Sequence, residues 1–172
     1  MRTAIQLVLL LVASNLHARA QHFHQVTIPT GPSPRWIAVA DVNHDRKPDI
    51  IVANAGSDNT DSGSITVLLG DDRGRFRAAP GSPFPAGHLP NDLAIADVNN
   101  DGNLDVVVAV SCAESRTFRI YQSEATGKFA ATTLPIVGGW GSVAIAHLTT
   151  NPRGEIITAN AAAGSITIYF PD

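Results

Sequence analysis

The sequence has 172 residues, a formal net charge of −3 and a single cysteine. The acidic balance argues against a nucleic-acid partner, because a phosphate backbone is bound through a basic surface. One cysteine excludes an intrachain disulfide.

The first twenty residues have the features of a secretory signal peptide. Arg2 precedes an apolar run over residues 4–13, and Ala-Arg-Ala at 18–20 fits a small-residue cleavage site. The run is too short for a spanning anchor, and a buried N-terminal helix, the alternative, would show an amphipathic period that is missing here. We expect cleavage between Ala20 and Gln21 and a secreted protein, extracellular or periplasmic, that does not span a membrane.

Three related units follow along the chain. They read WIAVADVNHDRKPDIIVANA at 36–55, DLAIADVNNDGNLDVVVAVS at 92–111 and SVAIAHLTTNPRGEIITANA at 142–161. The tetrapeptide GSIT at 63–66 returns at 164–167. The similarity of the units therefore does not depend on the acidic loops of the first two.

Each unit contains short β-branched or alternating runs separated by turn residues, and no helical period is present after residue 20. In the first unit we predict strands A, B, C and D at 37–41, 49–54, 64–69 and 76–84. Four short strands repeated about every 50 residues are typical of propeller blades. We predict an all-β fold of about three β-propeller-type blades of four antiparallel strands, at 35–87, 91–139 and 141–172. A β-sandwich is the alternative, but it would not repeat its loop chemistry.

We predict that residues 21–172, which follow the signal peptide, form the propeller-type domain. The N-terminal part of this domain resembles a D strand. FHQVTIP at 23–29 matches FAATTLP at 129–135 in the spacing from Phe to Pro, so we predict a D strand at 22–31. Such a strand can complete a last blade that ends after strand C. Because propellers typically have four to eight blades, three blades indicate a partial propeller or a ring completed by a homo-oligomer.

The loop between strands A and B carries oxygen side chains at positions 1, 3, 5 and 9 in the first two units. The residues are Asp41, Asn43, Asp45 and Asp49 in the first loop and Asp97, Asn99, Asp101 and Asp105 in the second, with the backbone carbonyls of Lys47 and Asn103 at position 7. Calcium takes six to eight oxygen ligands, and alternate side chains of a tight loop point at one centre. An EF-hand would need glutamate at position 12, where the units have Val52 and Val108. We predict about two Ca²⁺ sites, which would also stiffen a chain that lacks disulfides.

The motif DxNxDGxxD between short strands, with a D strand beginning FRAAP at Phe76, resembles the FG-GAP/VCBS repeats of integrin α-subunit propellers, secreted bacterial proteins and some fungal lectins. The resemblance covers essentially all of 22–172 and is specific for two of the three units, the first and the second. It implies a binding or cell-adhesion module with a protein or glycan ligand, whose blade loops are stabilised by calcium. Arg46 replaces the usual glycine, so we expect weaker binding in the first loop. The third loop, 147–155, has too few carboxylates and is predicted to bind no metal.

Catalysis is not predicted, because the chain has no G-x-S-x-G motif and its Ser, His and Asp residues nominate no triad. A hydrolase is therefore the least favoured function. His22 and His24 could hold a soft metal or simply face solvent, and Cys112 is interpreted as a small residue at a strand end.

Trp36 and Trp140 each precede a strand A, on the face opposite the acidic loops. They could stack on sugars or anchor a protein partner, or they could fill the junctions between blades. A glycan lectin, a protein adhesin and a structural fragment of a larger propeller all remain open.

Overall fold

The computed structural model describes residues 24–57, 63–111, 116–124, 128–135, 141–161 and 163–171. Within these ranges every regular element is a β-strand, which confirms the predicted all-β fold. No helix long and apolar enough to cross a membrane occurs among these residues.

The described strands form three antiparallel sheets, each in chain order. The first contains β1 (Pro34–Ala40), β2 (Asp49–Asn54), β3 (Gly63–Gly70), β4 (Phe76–Ala78) and β5 (Phe84–Gly87). The second contains β6 (Pro90–Ala96), β7 (Asp105–Ser111), β8 (Arg116–Ser123) and β9 (Phe129–Pro135), and the third β10 (Val143–Ala146), β11 (Glu155–Asn160) and β12 (Ser165–Tyr169). This architecture is that of a partial propeller, with one sheet for each sequence unit.

The fourth strand of the first sheet is interrupted, whereas the sequence predicts one strand at 76–84. Both β4 and β5 pair with β3, with Phe76 opposite Gly70 and Phe84 opposite Ile65. Between them the Val67 amide donates to Ser82 Oγ at 2.9 Å in place of a ladder bond. Two prolines in this stretch, at 80 and 83, have no N–H to donate, which explains why pairing stops there.

The strand predicted at 22–31 is not found in the part that the structure describes. Residues 24–30 form no strand and are largely exposed. This segment pairs with no strand of the three described sheets. The described residues of the third sheet therefore comprise three strands, and β12 forms its edge.

The core consists of two apolar layers, one between each pair of neighbouring sheets. Along β7, Val106, Val108 and Val110 pack toward the first sheet, whereas Val107 and Ala109 pack toward the third. Side chains alternate along a strand, so a strand that is buried on both faces requires an uninterrupted apolar run. The valines that follow the second acidic loop thus place the second sheet in the middle of the molecule.

Candidate functional site

The first two A–B loops, 41–48 and 97–104, are closed by their first aspartate. In the first loop Asp41 Oδ1 accepts a hydrogen bond from the Asp45 amide at 3.1 Å, and Asp41 Oδ2 accepts one from the Arg46 amide at 2.7 Å. The second loop repeats both bonds, from the amides of Asp101 and Gly102 to Asp97 at 3.1 and 2.8 Å. In each of these two loops, the carboxylate of the first aspartate therefore accepts two backbone hydrogen bonds that close the loop.

Positions 3 and 5 are joined to each other in the same way in both loops. Asn43 Oδ1 accepts from the Asp45 amide at 3.1 Å, and Asn43 Nδ2 donates to Asp45 Oδ2 at 3.2 Å. In the second loop both distances are 2.9 Å, from the Asp101 amide to Asn99 and from Asn99 to Asp101. The structure therefore brings the oxygen side chains of positions 1 and 3 together on the backbone amide of position 5, whose own carboxylate accepts from the side chain of position 3 and from the amide of position 7.

The aspartate at position 9 is buried and ties the loop to strand C. Asp49 accepts from the Val42 amide at 3.0 Å and from the Gly70 amide at 2.8 Å. The equivalent bonds of Asp105 come from the amides of Val98 and Ser123, at 3.1 and 3.0 Å. Sequence reasoning treated this residue only as a metal ligand and missed its second role as a buried cap.

Electrostatic repulsion acts within each loop. Burial raises the pKa of Asp49, its two backbone hydrogen bonds oppose this, and the carboxylates of Asp45 and Asp41 raise the pKa further. The pKa of Asp105 is raised by the same causes, with Asp101 and Asp97 as the neighbours. Each loop therefore holds three carboxylates within electrostatic range of each other, one of them desolvated.

Backbone strain distinguishes the first loop from the second. Gly102 has a φ of 86°, in the left-handed region that glycine adopts without penalty. Its equivalent Arg46 has a φ of 65°, and a residue with a Cβ pays about 1–2 kcal/mol there. This difference is the physical basis for expecting weaker ligand binding in the first loop.

The third A–B loop, 147–154, keeps a buried acid at position 9, Glu155, and lacks the other acids. Glu155 is fully buried and accepts from the Leu148 amide at 2.8 Å and from the Thr149 hydroxyl. The Thr149 hydroxyl, followed by the Leu148 amide, lowers the pKa of Glu155. Positions 3 and 5 carry Thr149 and Asn151, so neutral groups replace the carboxylate and amide pair of the other loops.

The aspartate oxygens of the first two loops are hydrogen bonded to backbone amides, and in the described ranges no three His, Cys, Asp or Glu side chains converge as a preformed metal centre. The donor set nevertheless suits a hard cation in kind, because it consists of carboxylate and amide oxygens that keep further lone pairs. Calcium would be held by positions 1, 3, 5 and 9. The third loop does not fit, since Glu155 is its single carboxylate.

A second feature lies where the A strands of the three sheets begin. Trp36 is 45% exposed and lines an open hollow of about 530 Å³ together with Arg35, Asn91, Gly141 and Ser142. Residues 35, 91 and 141 occupy the same position in the three aligned sequence units. The sequence analysis did not use this correspondence to predict that they lie together. Trp140, the other tryptophan candidate, lies outside the described residues, as do His22 and Cys112.

Comparison with known proteins adds one finding. Residues 47–108 match the family model described as FG-GAP-like repeat, a stretch from the end of the first acidic loop through the whole second loop into β7. No curated protein matches the chain.

Proposed function

The chain carries an FG-GAP-like repeat over residues 47–108, and from this premise we propose that it is a secreted, calcium-stabilised, non-catalytic binding or adhesion module. The observation that carries the proposal is the identical hydrogen-bond pattern of the loops 41–48 and 97–104 around oxygen side chains of the same spacing. A simple acidic turn would need one or two such side chains.

Calcium in this proposal is structural. The second site comprises Asp97, Asn99, Asp101 and Asp105, with the Asn103 carbonyl at position 7, and the first comprises Asp41, Asn43, Asp45 and Asp49, with the Lys47 carbonyl. When bound, the cation supplies positive charge that compensates three neighbouring carboxylates. The residues themselves fold the loop, and the buried ninth residue anchors it to strand C.

Titration calorimetry on chelator-treated protein tests the metal sites. We expect two calcium ions per chain, with the tighter site in the second loop, and weak magnesium binding, because magnesium requires a small octahedral shell. Asp101→Asn should abolish the tighter site, while Glu124→Gln, at an exposed acid outside the loops, should bind like the parent. Absence of calcium binding in the parent would refute this part of the proposal.

The ligand-binding face is proposed to be the one with Trp36. Its indole is half exposed beside an open hollow, an arrangement suited to stacking on a sugar or on an apolar anchor of a protein. A glycan array separates the lectin from the protein adhesin: sugar binding lost in Trp36→Ala and kept in the parent supports the lectin. If no glycan binds, the protein adhesin and the structural fragment of a larger propeller remain as functions.

The absence of catalysis is tested by a hydrolase substrate screen with calcium and with chelator. Export is tested by N-terminal sequencing of the protein recovered outside the cytoplasm, which should begin at Gln21. Turnover that follows the protein through purification would refute the non-catalytic assignment.

A further inference from the structure

The two sheets at the ends of the series each leave one apolar face uncovered. On the first sheet Ile37 and Val39 are 68% and 63% exposed, and on the third sheet Ile166 and Phe170 are 66% and 60% exposed. These four account for most of the large apolar side chains that the described part of the chain exposes. Exposed apolar patches of this kind mark interaction surfaces.

Inside the chain, sheets pack through two different faces. The trailing face, formed in the first sheet by residues such as Ile51, Ile65 and Leu69, packs on the leading face of the next sheet, where Leu93 and Ile95 contact it. The second and third sheets pack by the same rule, with Val107 and Ile120 on the trailing side and Val143 and Ile145 on the leading side. Both internal interfaces therefore use the same pair of surfaces.

The two uncovered faces are one leading face and one trailing face that have no partner within the chain. By the unit alignment, Ile37 and Val39 correspond to Val143 and Ile145, so the free face of the first sheet is a leading face. Ile166 and Phe170 correspond to Ile65 and Leu69, whose exposed fractions are only 1% and 2%. The free face of the third sheet is thus a trailing face, and each free surface is of the type that the other one packs against inside the chain.

We propose that the trailing face of the third sheet packs on the leading face of the first sheet of a second copy of this chain. The contact is head to tail, so it closes only if the rotation per sheet divides the circle. Two copies with three sheets each make a ring of six, within the range of four to eight blades that propellers adopt. The proposal does not depend on calcium binding.

The segment 24–29 gains a role in this assembly. It precedes β1 as β9 precedes β10, and its Thr27 and Pro29 align with Thr133 and Pro135 of β9. Thr132 pairs with Ile120 in the second sheet, so the equivalent register places Val26 opposite Ile168 on β12 of the second copy. The exposed edge of β12 would then receive its fourth strand from the neighbouring chain, and Val26 would extend the apolar trailing face.

Sedimentation velocity of the full chain tests the assembly. We expect a species of twice the monomer mass for the parent protein. Ile37→Glu and Ile166→Glu should each weaken association by at least about tenfold, because a charge would be buried in the interface. Leu148→Glu, at an exposed apolar residue in the third A–B loop, should associate like the parent. Because all three positions are exposed in the single chain, circular dichroism should show folded variants.

Mixing the two interface variants tests the head-to-tail arrangement. A pair of one Ile37→Glu chain and one Ile166→Glu chain contains one interface with both substitutions and one with neither. The mixture should therefore contain more dimer than either variant alone at the same total concentration. A monomeric parent, a ladder of larger species, or a mixture without recovered dimer would overturn the proposal.

Discussion

The second and third A–B loops both end at a buried acid but differ in the chemistry of their other residues. Asp105 and Glu155 are both fully buried, and each accepts a hydrogen bond from an amide at the start of its loop. Their pKa values nevertheless shift in opposite directions: burial raises that of Asp105, while the Thr149 hydroxyl lowers that of Glu155. The third loop therefore forms with one buried acid. The additional acids of the second loop accept hydrogen bonds from its own amides, and they also supply the negative charge on which the proposed calcium site depends.

Calcium removal should produce the largest change in stability, and this change should come from the first two loops. At free calcium a hundredfold above the dissociation constant, each occupied site stabilises the fold by about 2.7 kcal/mol. Chelation should therefore lower the free energy of unfolding by about 5 kcal/mol for two sites, measured by urea denaturation with and without calcium. An unchanged denaturation curve would mean that the acids only form turns.

Asp101→Asn should have the second-largest effect on stability, and it should act only through the loss of bound calcium. We expect it to remove about half of the calcium-dependent gain in stability and to have little effect in excess chelator, because the chelator has already removed the ion. Thermal melting under both conditions measures this. Equal losses in calcium and in chelator would assign Asp101 a purely structural role.

Glu155→Gln should give the converse result, a loss of stability that does not depend on calcium. The substitution keeps the volume but weakens the charge-assisted bonds from the Leu148 amide and the Thr149 hydroxyl. The melting temperature should fall equally in calcium and in chelator. A calcium-dependent difference would instead place a metal in the third loop.

The same residue predicts a pH dependence with a defined sign. The pKa of Glu155 is lowered from 4.5 in the folded chain, so its contribution to stability is complete above the unfolded pKa and is lost as the pH falls through the folded value. In calcium-free buffer, the difference in melting temperature between parent and Glu155→Gln should shrink below about pH 4.5. A difference that grows with acidification would contradict the direction of the shift.

Arg46→Gly should have the smallest effect and should make the first loop resemble the second. Arg46 has a φ of 65° where Gly102 has 86°, so glycine relieves strain of about 1–2 kcal/mol. Calorimetry should show tighter calcium binding in the first loop only. Gly102→Arg is the reciprocal variant and should weaken the second loop.

Sequence patterns predicted most of the strands because burial on two faces and turn chemistry are local signals. Strand B of the first unit was predicted at 49–54 and is found there as β2. Strand A was predicted to end at Asp41, but β1 ends at Ala40 because the Asp41 side chain caps the loop. The interruption between β4 and β5 was not predicted, although Pro80 and Pro83 are a local signal for it. The bond from the Val67 amide to Ser82 that replaces the ladder there is a contact between strands that no local pattern encodes.

The candidate site was predictable in its residue types and not in its contacts. Spacing indicated which oxygens share a loop, but it did not show that Asp49 reaches the Gly70 amide on strand C. A similar long-range contact joins the second and third sheets, where the Val143 amide donates to Asp92 Oδ2 at 2.9 Å. Such contacts depend on how the sheets pack against each other.

The most direct test of the central claim is the number of calcium ions bound per chain, measured by elemental analysis after equilibrium dialysis. The account predicts two ions for the parent, one each for Asp45→Asn and Asp101→Asn, and two for Glu155→Gln. Three ions in the parent, or none, would contradict the division of the loops into two that bind calcium and one that does not.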